Sequence, residues 1–68
     1  MRAMELKKFI NEKVSIVSND GITSCGVVTD YFYPDENESG EESIVIDTPA
    51  GNAIEFYGKD IKSIKVKN

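Results

Sequence analysis

From Lys13 onward, apolar residues recur at every second position, and each such stretch is closed by a turn signal. This periodicity narrows the fold more than any other feature. Side chains of a strand point alternately to opposite faces, so a period of two describes half-buried strands. Val14 and Ile16 alternate with Ser15 and Val17, predicting a first strand over 13–18. Asn19-Asp20-Gly21 follows, and Asp-Gly between extended segments favours a hairpin because glycine takes positive φ without steric cost. Residues 22–33, ITSCGVVTDYFY, are β-branched and aromatic and form the second expected strand. It is long for a flat strand, and Gly26 in its interior marks an expected bend or bulge. The stretch 34–42, PDENESGEE, has no apolar residue and reads as a solvated loop. SIVID (43–47), AIEFY (53–57) and IKSIKV (61–66) are the remaining expected strands. Thr48-Pro49-Ala50-Gly51 suits a type I turn, and Tyr57-Gly58-Lys59-Asp60 a tight 3₁₀ connection.

Residues 2–10 have a different period. Ala3, Leu6 and Ile10 fall at i, i+3 and i+7, with Phe9 beside them and Glu5, Lys7 and Lys8 opposite. An amphipathic helix over 2–10 is expected, too short to persist unless it docks on the strands. The fold class is therefore mainly β: a short N-terminal α-helix, then a five-stranded, strongly bent antiparallel small barrel. One domain spans 1–68. Closure removes exposed edges and creates one shared core. An open α+β sandwich is the alternative.

Composition removes most chemistries. The 68 residues contain no histidine and one cysteine. The usual general base near neutral pH, His-containing zinc sites and Ser-His-Asp or Cys-His arrangements are thereby lost. An enzyme is not expected, and no cofactor or small-molecule substrate is implied. A single cysteine forms no internal disulfide and fits a reducing compartment. No apolar run long enough for a signal peptide or a membrane span is present, so a cytoplasmic protein without membrane contact is expected.

Val14, Ile16, Gly21, Gly26 and Val28 form an alternating apolar pair, a glycine, a second glycine after four intervening residues, and an apolar strand. Phe56, Gly58, Ile61 and Ile64 form a second pattern, with glycine two residues after an apolar strand position and apolar residues three and six further on. In these two patterns, and in its element order, the chain resembles the Sm-like family of small barrels, related in shape to SH3-like barrels. The resemblance implies that architecture, and ring or dimer assembly by edge-strand pairing. Where that family carries RNA-contacting residues, this chain has Phe32, Tyr33, Pro34 and then an acidic insertion. Tyr57 stands where the family usually has a basic residue before its glycine. No RNA-binding residue transfers.

Charge is unevenly distributed. Asp35, Glu36, Glu38, Glu41 and Glu42 place −5 in the loop, while the whole chain carries −4, leaving +1 elsewhere. Lysines concentrate near the two ends, with Lys62 and Lys65 in the last expected strand and Lys67 directly after it. Lys65 and Lys67 share one side of it, opposite inward-pointing Ile64 and Val66. Such lysines keep an edge soluble, or serve phosphate binding if several gather on one face with the N-terminal segment. Tyr31, Phe32 and Tyr33 are the aromatic cluster able to stack on a partner, the middle residue being expected in the core. Asp35, Asn37 and Ser39 followed by Gly40 reproduce the opening spacing of a calcium loop, although Ile46 stands where the bidentate glutamate belongs. A solvated acidic hairpin tip explains the same residues. Cys25 reads as a small buried hydrophobe.

The expected function is a non-catalytic binding module with an unidentified protein partner or self-association by edge strands. Tyr31, Tyr33, Tyr57, Lys62, Lys65 and Lys67 are the expected contact residues. The alternative is an RNA-binding Sm-like protein working as a homo-oligomeric ring, which the acidic loop disfavours.

Overall fold

A computed structural model describes residues 6–67. It contains five antiparallel strands in one sheet: β1 (Lys13–Ser18), β2 (Thr23–Phe32), β3 (Ser43–Asp47), β4 (Ala53–Tyr57) and β5 (Ile61–Val66). Their order is β4-β3-β2-β1-β5, so β4 and β5 are the edges. The long β2 joins the two halves, pairing with β1 through its first part and β3 through its second. Among the described residues no helix is long and apolar enough to cross a membrane.

The expected α-helix is replaced by a 3₁₀ turn at Leu6–Phe9; the expected residues 2–5 lie outside the described part. Long-range pairing bounds this turn on its C-terminal side. Asn11 already adopts a left-handed φ of 69° and donates its N–H to the Val28 carbonyl at 2.8 Å, while Val28 donates to Glu12. A chain tied to β2 from Asn11 cannot continue the turn beyond Ile10. Side chains three apart align in a 3₁₀ turn, and Leu6 and Phe9 are both buried, packed against β2 and β3.

The core consists of Leu6, Phe9, Val14, Ile16, Val28, Ile44, Ile46 and Ile61, flanked by Ile10, Tyr31, Ile54, Phe56 and Ile64. Alternation places most of these, but β2 departs from it. Val28 faces Ile46 and Asp30 faces Val45, leaving Thr29 as an extra residue. This bulge reverses the parity of the strand residues beyond it. Tyr31 joins Ile44 and Phe56 on the core side, whereas Phe32 shares the outer face with Ser43 and Tyr57. The expectation of a core Phe32 fails for that reason. Nor does the bulge lie at Gly26, which pairs in register with Val14. A Cβ at Gly26 would stand 2.6 Å from the Asp47 carbonyl oxygen, so the bend of β2 requires the missing side chain. A second bulge makes Lys62 the extra residue of β5, between Ile61 opposite Ser18 and Ser63 opposite Val17. Val66 faces the same side as buried Val14 but remains 45% exposed at the strand end, against the inward expectation.

The hairpins share one construction. In the first, Gly21 (φ 87°) donates to the Ser18 carbonyl and Ser18 donates to Ile22. That is a type I turn closed by a left-handed glycine. Thr48 to Asn52 repeats both hydrogen bonds. Asp20 accepts from the Ser18 hydroxyl and the Ile22 N–H, and these bonds hold its carboxyl below the usual carboxylate range.

Candidate functional site

The loop between β2 and β3 is built as tightly as the hairpins. Pro34–Glu36 forms a 3₁₀ turn, and the Glu36 carboxylate accepts the Tyr33 N–H at 2.8 Å. Gly40 then donates to the Asn37 carbonyl. In the two hairpins a backbone N–H reaches the carbonyl beyond the glycine. Here the Asn37 side-chain amide does so, donating to Glu41 at 2.7 Å. It also donates to Ser43 Oγ at 3.1 Å, and that hydroxyl donates to Glu55 Oε2 at 2.8 Å. Ser43 is completely buried, so this chain fixes the loop over the outer face of β3 and β4.

These bonds give two residues of the calcium-like spacing a part in the turn. Asn37 spends its amide on the turn, Ser39 Oγ accepts the Glu41 N–H at 3.3 Å, and Asp35 sits exposed in the 3₁₀ turn. Among the described residues no three His, Cys, Asp or Glu side chains gather as a metal site.

Replacing Ser43 by alanine is expected to cost about 1 kcal/mol and to free the Asn37 amide. Amide hydrogen exchange at Gly40 and Glu41 should accelerate well before global unfolding. Unchanged exchange there would show that Ser43 does not hold the loop.

Glu42 connects the loop to two other elements. Its carbonyl accepts the Gly58 N–H at 2.9 Å, and its carboxylate accepts the Tyr31 hydroxyl at 2.7 Å. Tyr31 meets Tyr33 edge-on, with centroids 5.1 Å apart, and Lys7 Nζ lies 5.2 Å from the centre of the Tyr33 ring. Burial, then the hydrogen bond and negative charge of Glu42, push the Tyr31 hydroxyl up to about 12. The unfolded chain ionises near pH 10. Below that pH the phenol is neutral in both states; between about 10 and 12 only the unfolded state loses the proton, so stability falls across that window. Urea midpoints should therefore drop more between pH 9 and 11.5 in the wild type than in Tyr31→Phe. Equal drops would contradict this.

The expected contact residues divide into four groups. Tyr31 and Tyr33 stand beside Lys7. Tyr57 lines an open cleft of about 620 Å³ with Glu36, Asn37, Glu38, Ser39 and Lys59. Lys65 is opposite Ser15, and Lys67 donates its N–H to Lys13, away from the cleft. Lys62 is the exposed bulge residue. The 3₁₀ turn Gly58–Asp60 presents Lys59 and is fixed by Asn19, which donates to the carbonyls of Lys59 and Asp60. Because the first 3₁₀ turn packs on β2 and β3, Lys7 joins the tyrosines. Among the described residues Lys7 thus lies at Tyr33, whereas Lys13 stands beside Lys67 on the neighbouring strand.

Sequence reasoning missed Asn37's anchoring role, Glu42, Ser43, Glu55 and Lys59. A polar residue opening an otherwise apolar strand, Ser43 before Ile44, was the available signal. No protein-family model, curated protein or solved structure matches the chain.

Proposed function

We propose that the protein is a non-catalytic interaction module, an Sm-like or SH3-like small barrel that receives an extended segment of a partner protein. Three features support a strongly curled sheet. β3 approaches β2 so closely at Gly26 that no Cβ fits. Only Gly58–Asp60 separate β4 from β5. Asn19, at the far end of β1, is hydrogen-bonded to that same turn.

The observation that carries the reading is the cleft between the anchored acidic loop and the Tyr57–Lys59 turn, adjoining the outer edge of β4. Strand addition supplies backbone hydrogen bonds, and a neighbouring pocket selects side chains. Tyr57 offers a flat amphipathic surface at low entropic cost. Glu36 and Glu38 beside it favour a segment carrying lysine or arginine. The chain has no histidine, and no chemistry beyond binding is assigned. Titration of isotope-labelled protein with an extended lysine-containing peptide tests the proposal through the amide shifts of 36–39 and 53–59.

The RNA-binding ring remains a second reading because both sheet edges, β4 and β5, are available to pair between copies. Edge-to-edge pairing resists salt, so a ring gives a multiple of 7.5 kDa by light scattering even at about 0.5 M salt. It also raises the anisotropy of labelled oligouridine or oligoadenosine at low salt. A monomer in high salt that ignores both oligonucleotides removes this reading.

A further inference from the structure

The outer face of β1 and β5 carries a cluster of exposed lysines. Lys67 donates its backbone N–H to Lys13 at 2.7 Å, so the two side chains stand on neighbouring strands. Lys65 lies two residues away, opposite Ser15. Like charges set side by side across strands repel each other. The acidic residue in the same row is Asp47, beyond Val27 and two strands from Lys13, about 10 Å away by strand spacing. Lys67 Nζ instead lies 3.7 Å from Cys25 Sγ. The patch has positive charge to offer.

The opposite charge is concentrated in the loop 35–42, which carries −5 against +1 for all other residues. The loop's roots are Phe32 and Ser43, whereas the lysine row crosses β2 and β3 at Val27 and Asp47. Four to five strand residues separate them, roughly 13–16 Å. The anchored loop therefore does not fold back onto its own lysines. We propose that the acidic loop of one copy docks on the Lys13, Lys65 and Lys67 face of another, in a head-to-tail contact screened by salt. A second copy suits the patch because the loop is already held in shape by Asn37, Ser43 and Glu55, so little ordering entropy opposes docking. The contact joins two different surfaces, so it builds chains or rings of copies. It needs no peptide in the cleft and no edge pairing.

Sedimentation tests it. At about 0.05 M salt and submillimolar protein, the weight-average mass should exceed that at about 0.5 M by roughly 1.5-fold or more. The variant Lys13→Glu/Lys65→Glu/Lys67→Glu should lose this rise, as should Asp35→Lys/Glu38→Lys. An equimolar mixture of the two variants should regain a rise to mixed dimers, because the first keeps the acidic loop and the second keeps the lysine face. A mass independent of salt overturns the proposal, whether monomeric or assembled. So does a rise that survives in the lysine variant. Inorganic tripolyphosphate shifting the amides of 13, 65 and 67 in a protein that stays monomeric at low salt would assign the patch to phosphate anions instead.

Discussion

Gly26→Val is expected to lower the melting temperature by roughly 10–25 °C. The glycine has no positive φ, so backbone conformation does not demand it. Space does. A Cβ there would meet Asp47 O at 2.6 Å, Asp47 C at 3.0 Å and Ile46 Cδ1 at 3.3 Å. The first two are backbone atoms, and they move only if β3 retreats from β2. Overpacking of this kind costs about 3 kcal/mol, and each kcal/mol shifts a domain of this size by about 4–8 °C. Gly21→Ala is the informative comparison. Its Cβ meets nothing within 4 Å, but φ is 87°, so the expected cost is the smaller one, about 1 kcal/mol, of a left-handed alanine. Thermal melts followed by circular dichroism rank the two variants. If Gly21→Ala were the worse, the tight bend of β2 would not be what the fold depends on.

Leu6→Ala should be comparably severe. Leu6 is completely buried, on a 3₁₀ turn of four residues that has little stability of its own. Removing a buried leucine side chain costs about 2–5 kcal/mol. A chain of this length has roughly 3–10 kcal/mol in total. The variant is expected to be partly unfolded at 37 °C, with its urea midpoint at half the wild-type value or lower. Lys8→Ala, an exposed change in the same turn, should be nearly neutral. A Leu6→Ala midpoint close to wild type would mean that the strands bury their core without this segment.

These variants also mark where sequence and structure part. Strand positions are legible because alternation and turn residues are local properties. The stretches 13–18, 43–47, 53–57 and 61–66 match the strands, and 22–33 is one residue too long at each end. Helical spacing misleads over the described residues: Leu6–Phe9 is a 3₁₀ turn, and Asn11 and Glu12 directly after it are hydrogen-bonded across the chain to Val28. Gly26 was recognisable as a special position, yet its need is a close approach and the bulge falls at Thr29. One unpaired threonine then exchanges Tyr31 and Phe32 between core and outer face, a reversal that counting along β2 does not reveal. The candidate site was half visible. Tyr57 and the acidic loop stand out in the sequence. The Asn37–Ser43–Glu55 chain depends on the register of β3 against β4 and on a loop folding back, and neither is a local pattern.

The acidic end, with Tyr57 and the free edge of β4, is the surface proposed to meet a partner. An amide-shift titration with an extended lysine-containing peptide, run beside oligouridine at equal concentration, tests it most directly. With the peptide, shifts are expected to be confined to residues 36–39 and 53–59 and to be lost in Tyr57→Ala; none are expected with oligouridine. Peptide shifts absent at millimolar concentration, or oligouridine shifts at those same residues, would contradict it.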